Sequence, residues 1–314
     1  MNRDFSALVA AIRACPWAIQ PAYLEAIEAI AIRAFDAGAL VTVGDDGHQA
    51  RLEESLAAVA AVGAPLEGAR MSTVRDGVAV VPVFGPIFPR ATMVNSSAGG
   101  TSLDAIMRDL RVAFADSNVE RVVMLYDTPG GVVSGVGEAA EAIRSAPKPV
   151  TGFVTGIAAS LGYWMASQSS ELVVERAASV GSIGVVASTS RQEAPGADGR
   201  RSYEIVSSGA PRKRPDPSTE EGRAAIQEEV DAIEAVFVGD VARGRKVSDA
   251  RVLEAFGRGA MMPASAAVAA GMADRIGTLE SVLRNPGRTR TTTAPRRALA
   301  AADIETRRRS ADRS

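Results

Sequence analysis

Between residues 76 and 188 the chain alternates apolar, strand-like runs with helical ones, and this alternation restricts the fold more than any other feature. GVAVVPVFGPI (77–87) is a β-branched run closed by Gly85 and Pro86, which predicts a strand. Residues 102–115 predict a helix with Leu103, Ile106, Leu110 and Phe114 on one face. RVVMLYD (121–127) reads as a buried strand, TPGG (128–131) as a loop, 136–144 as a helix and PVTGFV (149–154) as the next strand. GIAAS (156–160) leads into a helix through Tyr163, Trp164 and Met165, and 172–175, 183–187 and 203–207 read as short strands. Parallel neighbours need crossover helices, so the pattern predicts an α/β layered fold with a mostly parallel sheet.

The flanks differ in character. Residues 1–70 are Ala-rich, and Ile19, Tyr23, Leu24, Ala26, Ile27, Ile30 and Ile32 approximate helical spacing, as do Leu52, Leu56 and Val59. They read as an N-terminal helical extension, with His48 in a surface loop over 41–49. Ser218 and Glu221 form a capping box that opens a long helix, with Ile226, Val230, Ile233, Phe237 and Val241 as a packing face. Residues 284–314 carry nine arginines against Asp303, Glu305 and Asp312, in a chain whose formal net charge is −2. That tail reads as a basic, solvated arm, either a loose end or a contact to nucleic acid or an acidic partner. The expected units are therefore 1–70, 71–283 and 284–314. No signal-peptide core or bilayer-spanning run is apparent, so the expected compartment is the cytoplasm, without membrane insertion.

One histidine, His48, and one cysteine, Cys15, limit the chemistry. A His/Cys zinc site lacks ligands, and an intramolecular disulfide lacks a partner. A Ser-His-Asp or Cys-His mechanism would have to use His48. A hydrolase with a protein nucleophile therefore needs another base.

Four short elements could carry chemistry, each with an ordinary alternative. Gly130-Gly131, after a buried strand, could let backbone N–H groups face a substrate as an oxyanion hole, or could simply make a turn. Ser160 precedes a helix, where free N–H groups favour a nucleophilic oxygen, but serine is also a common N-cap. Lys213, in GAPRKRPDP, could serve as a general base where burial and cations favour the neutral amine, or could be one of several solvated basic residues. Ser182, in GSIGV, could orient a lysine amine or bond nearby backbone.

The order of these elements resembles a known family. YDTPGGVVSG (126–135), GIAASLGYWMAS (156–167), VGSIGVVAS (180–188), SSGAPRKRPDP (207–217), FVGDVARGRKVS (237–248) and GRGAMMPASAAVAAGMADRIG (257–277) are similar to blocks of the signal peptide peptidase A type of serine peptidases. That group includes phage head-maturation proteases of the lambda protein C kind. The resemblance covers about 76–283 and implies a Clp-protease/crotonase-like fold and a Ser-Lys dyad without a cofactor or metal. It makes Ser160 the nucleophile, Lys213 the general base, and the N–H groups of Gly131 and Leu161 the oxyanion donors. Many relatives place the lysine three residues after a glycine, where this chain has Arg212, so Lys213 requires a loop one residue longer. Arg212 cannot take the role, because guanidinium keeps its proton.

PWAIQPAYLEAI (16–27) resembles the phage branch. The expected activity is a prohead maturation protease that forms a homo-oligomer and cuts scaffold or capsid proteins. The alternatives are a soluble cytosolic peptidase that degrades membrane-derived peptides, an acyl-CoA enzyme on a crotonase fold, and a non-catalytic scaffold-like protein.

Overall fold

The computed structural model describes residues 16–19, 62–90, 100–189 and 205–284. His48, Cys15, most of the expected N-terminal extension, and the tail from 285 lie outside them. The expected α/β architecture is present. The larger sheet has a parallel centre, in which β4 (Val78–Phe84) pairs with β7 (Arg121–Thr128) and β7 with β9 (Val150–Ala159). Along its other edge β9 runs parallel to β10 (Glu171–Val174) and then to β11 (Ser179–Gly181). β13 (Arg275–Ile276) adds in parallel to β10. β2 (Ala64–Pro65), β3 (Thr73–Arg75) and β12 (Met261–Pro263) close the ends in antiparallel fashion.

A second, four-stranded sheet has the order β1 (Trp17–Ile19), β8 (Gly130–Val132), β5 (Ile87–Phe88), β6 (Thr101–Ser102). This differs from the expected helical spacing through Ile19 and from the TPGG loop. β-Branched and aromatic residues in Trp17–Ile19 find an open strand edge, and tertiary pairing overrides the local period. Residues 183–187 form only an isolated bridge, Val186 with Trp17, and the described part of the expected 203–207 strand, 205–207, is irregular.

Strand alternation divides the core. Ala79, Val81 and Val83 of β4 face the large core beneath the helices, while Val78 and Val80 join Val123, Leu125, Phe153, Val173 and Val282 on the opposite face. Burial on both faces explains why the central strands are almost continuously apolar. Over the large core lie α1 (Leu103–Ala115) and α2 (Val136–Arg144). Val136, Ala139, Ala140 and Ile143 of α2 are buried at helical spacing. α4 (Glu220–Arg245), α5 (Asp249–Ala255), α6 (Ala264–Ala270) and α7 (Leu279–Arg284) complete the chain, after a short α3 (Leu161–Ala166).

Two local details refine the sequence reading of α4. Thr219, not Ser218, caps it: Thr219 Oγ1 accepts the Gly222 N–H at 3.0 Å. Asp216 takes the Ser218 hydroxyl and N–H at 2.7 and 3.0 Å, which leaves the next residue to cap. Of the expected apolar stripe, Phe237 and Val241 are buried, whereas Ile226, Val230 and Ile233 are half-buried.

Asp109 on α1 is fully buried and receives the N–H groups of Arg70, Met71 and Ser72 and the Ser72 hydroxyl, at 2.7–3.0 Å. It holds the turn before β3 against the helix. Asp109→Ala leaves these donors without an acceptor and is expected to destabilise the fold by about 3 kcal/mol or more. Urea unfolding would show the loss as a lower midpoint at unchanged slope.

Candidate active site

β9 ends at Ala159 and α3 begins at Leu161, so Ser160 is the single residue at the joint. Its N–H donates to the Gly181 carbonyl at 2.7 Å, and its own carbonyl accepts the Trp164 N–H at 2.8 Å. These bonds hold Ser160 at φ 52° and ψ −115°, a conformation that side chains rarely adopt. Strain of this kind costs roughly 1–3 kcal/mol and persists only where the surroundings impose it. The residue is 1% exposed. The hydroxyl does not cap α3, which removes the ordinary reading of this serine. Among the described residues it donates only a long bond, 3.4 Å, to the Gly184 carbonyl.

Every residue of α3 is buried. Trp164 stacks on Phe237 of α4 with ring centres 4.4 Å apart and donates its Nε1–H to Asp240 Oδ2 at 2.8 Å. Arg144 and Arg243 contact the other oxygen of the same carboxylate, and Gln168 donates to the Asp240 carbonyl at 3.0 Å. Tyr163 Oη donates to the Met272 carbonyl at 3.0 Å, and burial pushes its phenol far above the ordinary tyrosine range. Asp240→Ala strands the indole N–H and is expected to cost about 2 kcal/mol. Calorimetry should register this as a Tm lower by several degrees.

Gly130 and Gly131 lie beside this joint in β8. At Gly130 (φ 105°) a Cβ would stand 2.1 Å from the Ala18 carbonyl oxygen and 3.1 Å from that of Ala159. At Gly131 it would stand 1.9 Å from the Ile87 carbonyl oxygen, so only glycine fits either position. Thr128 fixes the entry to the pair, donating its hydroxyl to the Gly85 carbonyl at 2.7 Å and accepting the Gly130 N–H at 3.2 Å. Gly131 is paired with Ala18 of β1 and Ile87 of β5. Leu161 is the first residue of α3, so its N–H has no acceptor within the helix.

The other expected residues are not gathered here. Lys213 lies on an exposed turn, Pro211–Lys213, ahead of α4. Among the described residues no hydrogen bond joins it to Ser160 or to Ser182. Its neighbour Arg212 pairs with Glu228 of α4. Ser182 is half-buried at φ 54°, and its N–H donates to the Ala260 carbonyl at 3.1 Å.

Sequence reasoning missed two contributors. The β7–β9 register slips between Tyr126/Val154 and Thr128/Ala158, and Asp127 fills the slip, accepting the Ile157 N–H at 3.0 Å. A Cβ at Gly156 would stand 2.6 Å from Asp127 Oδ1, so the carboxylate needs glycine there. An acid ending an apolar strand, with Gly156 further along, was the available signal. The second contributor is β1, whose residues the sequence places in a helical spacing and not beside the Gly130-Gly131 pair. No helix among the described residues is long and apolar enough to cross a membrane, and no group of three or more His, Cys, Asp or Glu side chains there is placed to hold a metal ion.

Residues 142–288 match the model of peptidase family S49. The chain is 29% identical over 238 residues to capsid assembly protease C of Escherichia phage lambda, covering 73% of this chain and 54% of that protein. It is 28% identical over 289 residues to head-tail preconnector protein GP5 of Enterobacteria phage P21, covering 88% and 56%. With protease 4 of Haemophilus influenzae it shares 26% identity over 219 residues, covering 67% and 34%. The chain thus spans about half the length of the two phage proteins it matches.

Proposed function

We propose that the protein is a serine endopeptidase of the S49 kind, whose family model residues 142–288 match, built on a Ser-Lys dyad. The observation that carries the reading is Ser160, buried at a strained strand-to-helix joint with its hydroxyl excluded from capping and two obligatory glycines alongside. In the proposed cycle Ser160 Oγ attacks the scissile carbonyl while Lys213 Nζ takes its proton. The Gly131 and Leu161 N–H groups hold the oxyanion, and Lys213 returns the proton to the leaving amine. Ser182 orients the amine. Water then hydrolyses the acyl-enzyme by the same route. This cycle requires the Pro211–Lys213 turn to close onto Ser160. The names of the lambda and P21 relatives, a capsid assembly protease and a head-tail preconnector protein, support a role in phage head maturation. Scaffold or capsid proteins are the proposed substrates, and a homo-oligomer is the proposed working form. The basic tail is the proposed contact to nucleic acid or an acidic partner.

The exposed placement of Lys213 favours one other reading, an acyl-CoA enzyme that uses the backbone N–H donors without a dyad. Incubation with an unfolded protein substrate separates the two. The peptidase reading expects new peptide termini by mass spectrometry. Turnover of acyl-CoA with no new termini overturns it.

A further inference from the structure

The strand Trp17–Ile19 reaches the candidate active site from far away in the sequence and fits between two edges there. On one side it pairs antiparallel with β8, Trp17 opposite Val132, Ala18 opposite Gly131 and Ile19 opposite Gly130. On the other side the Trp17 N–H donates to the Val186 carbonyl at 3.0 Å and the Val186 N–H to the Trp17 carbonyl at 2.8 Å. Val186 belongs to the same stretch as Gly184, whose carbonyl receives the Ser160 hydroxyl. Beyond this bridge, residues 183–188 join no ladder, and the Val186 residue is 43% exposed. Gly130 lacks a Cβ where the carbonyls of Ala18 and Ala159, the residue before Ser160, converge. Trp17, Ala18 and Ile19 are 2%, 0% and 3% exposed, and Trp17 meets Phe88 edge-on with ring centres 5.9 Å apart.

A protein edge recognises an extended peptide through backbone hydrogen bonds, with pockets for alternate side chains. The Trp17–Ile19 strand has this geometry, with its backbone along the paired glycines and beside the nucleophile's strand. We propose that β8 and residues 184–186 form a binding slot for one extended peptide strand, and that Trp17–Ile19 is an internal occupant which a substrate must displace. This rests on the reading of the Ser160 site as a peptidase. The slot's chemistry specifies its ligand: a large aromatic residue against Phe88, then a residue no larger than alanine, then an aliphatic one. Residue 18 is confined because Ala18 is fully buried within the large core. A tethered strand competes at high effective concentration, so it lowers the apparent affinity for any peptide added in trans.

Anisotropy of a fluorescein-labelled peptide of residues 16–21, with full-length protein in a Ser160→Ala background, tests this without catalysis. Ala18→Arg cannot enter the slot, and this variant should bind the peptide about tenfold or more tighter than the parent. Trp17 and Val186 exchange both backbone hydrogen bonds, which sets their Cα atoms about 5.5 Å apart, within disulfide span. Trp17→Cys with Val186→Cys and Cys15→Ser should therefore lock the strand when oxidised. The locked form should bind about tenfold or more weaker than the same protein after reduction. Equal affinity in both redox states, or no gain from Ala18→Arg, overturns the proposal. A separate labelling of wild-type Ser160 with a fluorophosphonate keeps the two readings apart. A Ser160 adduct with flat anisotropy removes the slot and leaves the peptidase. The expected anisotropy without an adduct keeps the slot and removes the peptidase.

Discussion

Ser160→Ala is expected to lower peptide hydrolysis by about 10⁴-fold or more while the protein stays folded. That loss corresponds to about 5.5 kcal/mol of transition-state stabilisation at about 1.36 kcal/mol per decade. Little stability goes with it, because among the described residues the hydroxyl makes only the 3.4 Å bond to Gly184 and does not cap α3. The backbone bonds to Gly181 and Trp164 that fix the joint remain in the variant. Alanine meets the same strain as serine at φ 52°, so Ser160→Gly should be inactive and slightly more stable. Steady-state kinetics on a fluorogenic peptide, with thermal unfolding of each variant, checks both parts. Retained hydrolysis in Ser160→Ala would reassign the nucleophile.

Lys213→Met is the second large effect, a fall of about 10²–10⁴-fold in kcat, the usual contribution of a general base. Stability should change by no more than about 0.5 kcal/mol, because the side chain is exposed. Lys213→Arg should not restore the rate, since guanidinium keeps its proton. Arg212→Met breaks only the exposed pair with Glu228 and should leave kcat within about twofold of the parent. Rate measurements on these three variants decide the loop assignment. Activity lost in Arg212→Met and kept in Lys213→Met would contradict it.

The parts of the fold that were legible in the sequence are those in which one period dominates. β4, β7, α1 and α2 read directly, because their faces are buried along their full length and the apolar pattern repeats without interruption. β9 extends beyond its expected end at Val154, because Thr155 to Ile157 sit in the register slip filled by Asp127, where the apolar pattern breaks although the strand continues. β8 hides behind Gly-Gly, the usual mark of a turn, whereas here the missing Cβ atoms admit neighbouring carbonyls. The pairing of β1 depends on an edge more than a hundred residues away, which no local window contains. At the candidate site, the position of Ser160 between strand and helix was legible from its surroundings. Its left-handed φ was not, because the Gly181 and Trp164 bonds that impose it come from tertiary structure.

The central claim is that Ser160 is the nucleophile of a peptidase. Its most direct test is to treat the wild-type protein with a fluorophosphonate and map the adduct by peptide mass spectrometry. The account predicts one adduct per chain, on Ser160, and none in Ser160→Ala. An adduct on another serine, or equal labelling of both proteins, would contradict it.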